Sequence, residues 1–182
     1  ELDEEAEQAL RESERRFRHM ADHAPVMVWV TEPDGRCSYL SQSWYDFTGL
    51  QAESGLGIGW TAALHVEDRT RVWETFMASN AKREAIQIEF RLKRHDGQVR
   101  WAIAAAAPRF SEGGEFLGFI GSVLDITERK EAELLIHDQA ALLEQTHDAI
   151  FVWTFDGGIT YWNQGAERLY GFTEQEALGR NS

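Results

Sequence analysis

The sequence predicts an α+β fold in which two strands, several short helices and a three-stranded antiparallel meander follow one another between two amphipathic helices. Three observations carry this. Ile86, Ile88, Phe90 and Leu92 alternate with Gln87, Glu89, Arg91 and Lys93, the period-2 signature of a half-buried strand. Turn residues punctuate the chain at Glu32-Pro-Asp-Gly35, Asp96-Gly97 and Glu112-Gly-Gly114. Both flanks instead carry apolar residues near a 3.6-residue period.

Residues 1–22 are the first flank, a helix with Leu2, Ala6, Ala9, Phe17 and Met20 on one stripe. Its Glu7/Arg11, Glu12/Arg16 and Glu14/Arg18 pairs have the i,i+4 spacing that adds about 0.2–0.5 kcal/mol each. After Pro25 the pattern shortens to strands at Val26–Thr31 and Cys37–Leu40. Short helices follow in a stretch holding Trp44, Phe47, Trp60, Trp73 and Phe76. The alternating strand, the Asp96-Gly97 hairpin with Val99, Trp101 and Ile103 beyond it, and a strand at Phe116–Leu124 complete a domain placed at 23–127.

Asp125-x-x-Glu128 matches a capping box, so the last strand is expected to pass straight into a linker helix at 128–145. Ala132, Leu135, Ile136, Ala140 and Leu143 form its apolar stripe, with Leu142 at the edge, on a rod about 30 Å long. A parallel coiled coil between two protomers is favoured over packing on its own domain. That places Leu2, Ala6, Phe17, Leu135 and Leu142 at or near a homodimer contact.

Composition narrows the partners. The chain has 182 residues, with 31 acidic and 18 basic side chains and a net charge of −13. Such a balance argues against nucleic acid and anionic membrane, which need a basic face. One cysteine, Cys37, excludes an intrachain disulfide and a cysteine-based zinc cluster. No apolar run approaches 18 residues. A cytoplasmic location without direct membrane contact is expected, within a longer protein that can itself be membrane-anchored.

The chain also repeats itself. His23-Ala-Pro-Val-Met-Val-Trp29 recurs as His147-Asp-Ala-Ile-Phe-Val-Trp153 at an offset of 124, whereas Gly35, Tyr39 and Gly49 recur as Gly157, Tyr161 and Gly171 at 122. Two residues are therefore expected to be missing from the turn between the strands of the second copy. Residues 146–182 read as the first third of a second module.

Taken in order, Asp34-Gly35, Trp44 with Phe47-Thr-Gly49, Gly59-Trp60, His65-Val-Glu-Asp-Arg69, Glu89-Phe-Arg91, Asp96-Gly97, Arg100-Trp101, Pro108, Gly114, Gly121 and Asp125-Ile-Thr127 resemble a PAS domain with its C-terminal PAC motif. Val66 departs from the Pro usual in similar bacterial sequences. The resemblance implies a five-stranded antiparallel sheet with short helices over one face. It also implies a sensory or dimerising input module, commonly of bacterial sensor histidine kinases or diguanylate cyclases, with the effector domain elsewhere in the same chain. Asp125, Ile126, Thr127 and Glu128 are then the expected signal output, since a change at Leu124 reaches the helix without a flexible joint.

Sharper chemistries are disfavoured by specific residues. Cysteine-adduct flavin photochemistry needs a helix cysteine, and residues 44–85 contain none, although this leaves non-covalent flavin open. Haem sensing in such domains uses a helix histidine, and none lies between Val66 and Glu84. His19 and His23 have helix-pair spacing but no third ligand in view, so no metal is expected. No nucleophile elbow, phosphate loop or His-Glu metal motif is present, and no enzyme activity is expected of this segment. Trp29, Trp44, Phe47, Trp60, Trp73, Phe76 and Trp101 are the candidate pocket residues, either lining a site for a small ligand or simply filling the core. Ala104–Ala107 favour some free volume on the sheet. No cofactor is expected. A ligand-responsive sensor and a constitutive dimerisation spacer with a filled core both remain open.

Overall fold

A computed structural model describes residues 2–145, 148–155 and 158–178, with the side chains of residues 2–5 and 140–145 outside the description. The chain divides into two compact units, Glu1–Thr127 and Glu128–Ser182.

In the first unit, α1 (Leu2–Asp22) leads into β1 (Met27–Thr31) and β2 (Cys37–Leu40). Then come α2 (Gln42–Thr48), a 3-10 turn (Gly59–Ala63), α3 (Arg69–Lys82), β3 (Ile86–Lys93), β4 (Val99–Phe110) and β5 (Phe116–Asp125). The five strands form one antiparallel sheet in the order β2-β1-β5-β4-β3. The meander supplies β5-β4-β3, and the N-terminal hairpin adds to the free edge of β5 through β1. Gly97, at φ +84°, closes the β3–β4 hairpin in a conformation that only glycine adopts without strain.

Period-2 alternation sets the buried face. Ile86, Ile88, Phe90 and Leu92 of β3 all point inward, as do Ala102 and Ala104 of β4. Trp44 from α2, Leu64, and Val72 and Phe76 from α3 cover them, with Met27, Phe119 and Val123 from the sheet completing the core. The Ala104–Ala107 run divides accordingly, with Ala104 buried and Ala105 and Ala107 exposed on the opposite face. Gly121 sits between Trp29 and Ala106 in register, and a Cβ there would meet the Trp29 ring at 2.7 Å. Its missing side chain lets the indole lie across the strand.

Helix α3 is fastened to β3 by a charge pair. The Asp68 carboxylate accepts from the backbone N–H, Nε and Nη2 of Arg91 at 2.8–3.0 Å. Hydrogen bonding from the Arg91 guanidinium outweighs burial and holds the Asp68 carboxyl down at about 2. At the other end of the unit, Asp22 Oδ1 accepts from Tyr39 Oη and from the Gln42 N–H, joining α1 to β2 and α2. The expected helix pairs Glu7–Arg11 and Glu12–Arg16 form.

The second unit contains α4 (Thr127–Gln145), which begins one residue inside the first, then β6 (Phe151–Thr154), β7 (Gly158–Trp162), α5 (Gln164–Tyr170) and α6 (Glu174–Ala177). Thr173 and Glu176 form a reciprocal capping box at α6. The strand register corrects the sequence alignment of the repeat. Val30 pairs with Tyr39 and Val152 with Tyr161, with a bulge following in each hairpin. Beyond the bulge, Thr31 pairs with Cys37 and Trp153 with Ile159. The offset is thus 122 through both strands, and the two turns have equal length. Phe151, not Trp153, occupies the place of Trp29, and the two-residue difference lies ahead of β6. Anchors at the hairpin base select this register. Ser41 Oγ accepts from the Val28 N–H, and Asn163 Oδ1 accepts from the Ile150 N–H.

Candidate functional site

Between the sheet and the helical layer lies an apolar cavity of about 50 Å³. The sheet contributes Trp29, Thr31, Ile86, Ile88, Phe90, Ala104 and Val123, β2 adds Cys37 and Leu40, and the covering layer adds Trp44, Trp60, Val72 and Phe76. Phe76 is the hub of the covering aromatics, with ring centroids 5.9 Å from Trp29, 6.2 Å from Trp60 and 6.4 Å from Trp73. Four of the seven candidate pocket residues, Trp29, Trp44, Trp60 and Phe76, therefore line the cavity. Phe47 and Trp73 pack against the core without lining it.

Trp101 does not belong to the site. It falls on the outward phase of β4, 37% exposed, with the Arg91 guanidinium 5.9 Å from its ring centroid. Odd positions of β4 face outward, opposite buried Ala102 and Ala104, although the larger apolar residues Val99, Trp101 and Ile103 all fall on them, so alternation in the sequence pointed Trp101 the wrong way. Thr31, Cys37, Ile86 and Ile88 are among the lining residues that a search for aromatics passes over, and Phe90 is an aromatic lining residue that the candidate set left out. Thr31 shares the inward phase of Trp29, two residues away.

The cavity chemistry is sparse. Thr31 Oγ1 accepts from the Phe119 N–H at 3.0 Å, and Cys37 Sγ donates to the Tyr39 carbonyl at 3.3 Å. Burial pushes the Cys37 thiol up to about 11, which keeps it protonated and a poor nucleophile near neutral pH. About 50 Å³ is room for a few waters. As packed, the space is far too small for a flavin or haem ring system. Among the described residues no three His, Cys, Asp or Glu side chains gather in a metal-binding group. His19 and His23 stack at 4.2 Å instead, with His23 Nδ1 on the His19 carbonyl.

The second candidate region is the junction of β5 with α4. Asp125 Oδ1 accepts from the N–H and Oγ1–H of Thr127, while Oδ2 accepts from Arg100 Nε at 2.9 Å. Thr127 Oγ1 accepts from the Trp101 N–H, and the Trp101 carbonyl accepts from the Ile126 N–H. Burial works to raise the Asp125 carboxyl, but hydrogen bonds from Thr127 and Arg100 outweigh it and leave the group below its ordinary value. Asp125 therefore bonds Thr127, the first residue of α4, and the reciprocal bonds with Glu128 that the expected capping box requires are not made. Ile126 and Thr127 are buried and Glu128 is exposed.

Of the residues expected at a dimer contact, Ala6 and Leu135 are exposed. Phe17 is half-buried, with its ring 5.4 Å from that of Tyr39 in the same unit, so part of its apolar surface is already covered. The side chains of Leu2 and Leu142 lie outside the described residues. No described helix is long and apolar enough to cross a membrane.

Known proteins share this fold. A family profile described as PAS fold matches residues 38–123, and a second PAS-fold profile matches residues 138–182. The chain is 46% identical over 146 residues to an uncharacterized protein, y4lL, of Sinorhizobium fredii, covering 79% of this chain and 18% of that one. It is 30% identical over 124 residues to the probable diguanylate cyclase DgcE of Escherichia coli, covering 66% of this chain and 11% of that protein. The crystal structure of a sensory box histidine kinase/response regulator from Burkholderia thailandensis superposes with a TM-score of 0.53 at 25% identity, over 72% of this chain and 99% of that one. The chain thus spans less than a fifth of either curated relative.

Proposed function

From the premise that this chain belongs to the PAS family, a family of signal-transduction input modules, we propose that it is the cytoplasmic input segment of a bacterial sensor histidine kinase. In this reading the segment is not itself an enzyme. It senses through the module at 23–127, passes the signal through the linker helix at 128–145 to an effector domain of the same polypeptide, and continues into a second module at 146–182. The protein works as a homodimer, with Leu2, Ala6, Leu135 and Leu142 and the uncovered edge of Phe17 at the contact between flanking helices. Exposed Leu10, Met20, Leu134 and Leu135 support such a contact, since apolar side chains on solvated helices favour burial against a partner.

The observation that carries the output assignment is the Asp125 network. A single residue, Ile126, separates β5 from α4, and Asp125, Thr127 and Arg100 tie the start of the helix to the sheet. A shift in β5 or β4 therefore reaches the first turn of α4 through hydrogen bonds. Asp125→Ala is expected to cost about 0.5–2 kcal/mol at that helix start and to uncouple input from output in the full-length protein. Unchanged regulation of its effector would overturn the assignment. Dimerisation has its own check, because a monomer by light scattering at tens of micromolar would contradict it.

The DgcE relative supports one alternative, in which the effector is a diguanylate cyclase. The small cavity supports another, a constitutive spacer whose core is filled.

A further inference from the structure

Helix α2 is held at each end by a different element. Its N-cap, Ser41, makes no side-chain cap bond, and the N–H of Gln42, the first helical residue, donates instead to Asp22 Oδ1 at 2.8 Å. Asp22 is the last residue of α1, so one helix satisfies a donor that the geometry of the other leaves free. At the far end the Phe47 carbonyl accepts from the His95 N–H at 2.8 Å, and Gly49 packs so closely that a Cβ there would lie 2.8 Å from His95 Cβ. The 7 residues of α2 form a rod about 10 Å long between these joints.

His95 sits in the β3–β4 hairpin, which is stiffened around it. The Arg94 N–H donates to the Gln98 carbonyl, and Arg94 Nε donates to both carboxylate oxygens of Asp96. Asp96, and more weakly Asp125, hold the Arg94 guanidinium above its ordinary value. On the β4 side of the turn, Arg100 bonds Asp125, and the N–H and carbonyl of Trp101 bond Thr127 and Ile126.

We infer that α2 is a mechanical relay, which takes a displacement of α1 at Asp22 and passes it through His95 and the β3–β4 hairpin to the Asp125 junction. A short rod bonded at both ends cannot shift at one without loading the other, and the hairpin beyond it is tied within itself and to the start of α4. The domain then conducts a signal arriving along α1 as well as one arising inside it. This route needs no ligand and so goes beyond the sensory reading, with which it shares only the Asp125 output.

Amide hydrogen exchange of the full 182-residue chain reads both joints. Gln42→Pro removes the donor at a helix position that tolerates proline, after a residue already extended at φ −66° and ψ 158°. Gln42→Pro and Asp22→Ala are each expected to speed exchange of the His95, Ile126 and Thr127 amides about fivefold, the scale of one hydrogen bond. Asp22→Asn keeps the Oδ1 acceptor and should behave as wild type. Tyr39→Phe removes the other bond to Asp22 Oδ1 and should leave the three amides unchanged. In a Gly49→Ala background, where the new Cβ pushes the second joint open, Gln42→Pro should no longer affect Ile126 and Thr127. Exchange of the β3 amides reports global folding throughout. Unchanged exchange at His95 or Thr127 in both Gln42→Pro and Asp22→Ala, an equal effect of Tyr39→Phe, or an undiminished effect in the Gly49→Ala background would each overturn the inference. His95 lies ahead of Asp125 on this route, so the relay can fail there while Asp125→Ala still uncouples the effector.

Discussion

Strands β1 and β6 occupy the same place in two copies of one hairpin and end in opposite environments. Both are apolar, Met27-Val-Trp-Val-Thr31 against Phe151-Val-Trp-Thr154, and both pair with a following strand across the same bulge. Strand β1 also pairs with β5, and none of its residues is exposed. Among the described residues β6 has β7 alone, and all four of its residues are exposed. Burial is thus conferred by the neighbours that a strand finds rather than by its own hydrophobicity. A two-stranded piece cannot cover its own face, and its free edge invites another strand.

Four measurements would break or sharpen that contrast, and Gly118→Ala should have the largest effect. Gly118 has φ +96°, and a Cβ there would lie 2.0 Å from the Thr31 carbonyl, where β5 closes on the end of β1. A loss of at least about 3 kcal/mol in chemical denaturation of the first unit is expected, and a change within error would show that β5 does not clamp β1 as described.

Next comes Arg91→Ala, which leaves the buried Asp68 carboxylate without its principal cation at an expected cost of about 2–3 kcal/mol. Asp68 titrates at about 2 when folded against 3.8 when free, so the folded value is the depressed one. Its contribution is therefore complete above about pH 4 and is lost as pH falls toward 2. The variant should lose this part of the acid dependence, and a wild-type stability flat from pH 5 to about pH 2 would remove the pair from the account.

Third is hydrogen exchange. In a demonstrably monomeric sample, amides of β6 should exchange about 100-fold faster than those of β1, because β6 lacks a second partner strand. Strong protection from Ile150 to Phe155 in such a sample, with no contact from the linker helix, would show that the hairpin is stable alone. The smallest effect belongs to Asn163→Ala. Asn163 Oδ1 accepts from the Ile150 and Ala166 N–H groups, and Nδ2 donates to the Asp148 carbonyl, so its loss should cost about 1–2 kcal/mol. The far-UV signal of the second unit should weaken while the first unit melts as before. A shift in the melting of the first unit would argue that the two do not fold separately.

Much of the fold was legible because its signals are local. The alternation at 86–93, the Asp96-Gly97 hairpin and the Thr173/Glu176 box each act within a few residues, and each appears as expected. The cavity was legible only in part. Aromatic content pointed to Trp29, Trp44, Trp60 and Phe76, but it equally pointed to Trp101, which strand phase turns outward. Asp125 was legible as a residue that bonds the start of the linker helix, but its partner there is Thr127 and not Glu128, and its bond to Arg100 spans 25 residues and has no local trace.

What the sequence determined by itself is the type of each element, the family order and the presence of a partial repeat, since turn chemistry and hydrophobic period are properties of short segments. Tertiary structure decided the rest. The repeat aligns at an offset of 122 because Ser41 and Asn163 close the two hairpins at equivalent points, against the stronger sequence match at 124. The Asp68–Arg91 clasp joins groups 23 residues apart, and the Thr31–Phe119 bond joins groups 88 apart. Each of these depends on which distant surfaces come together, and a distance along the chain carries no record of that.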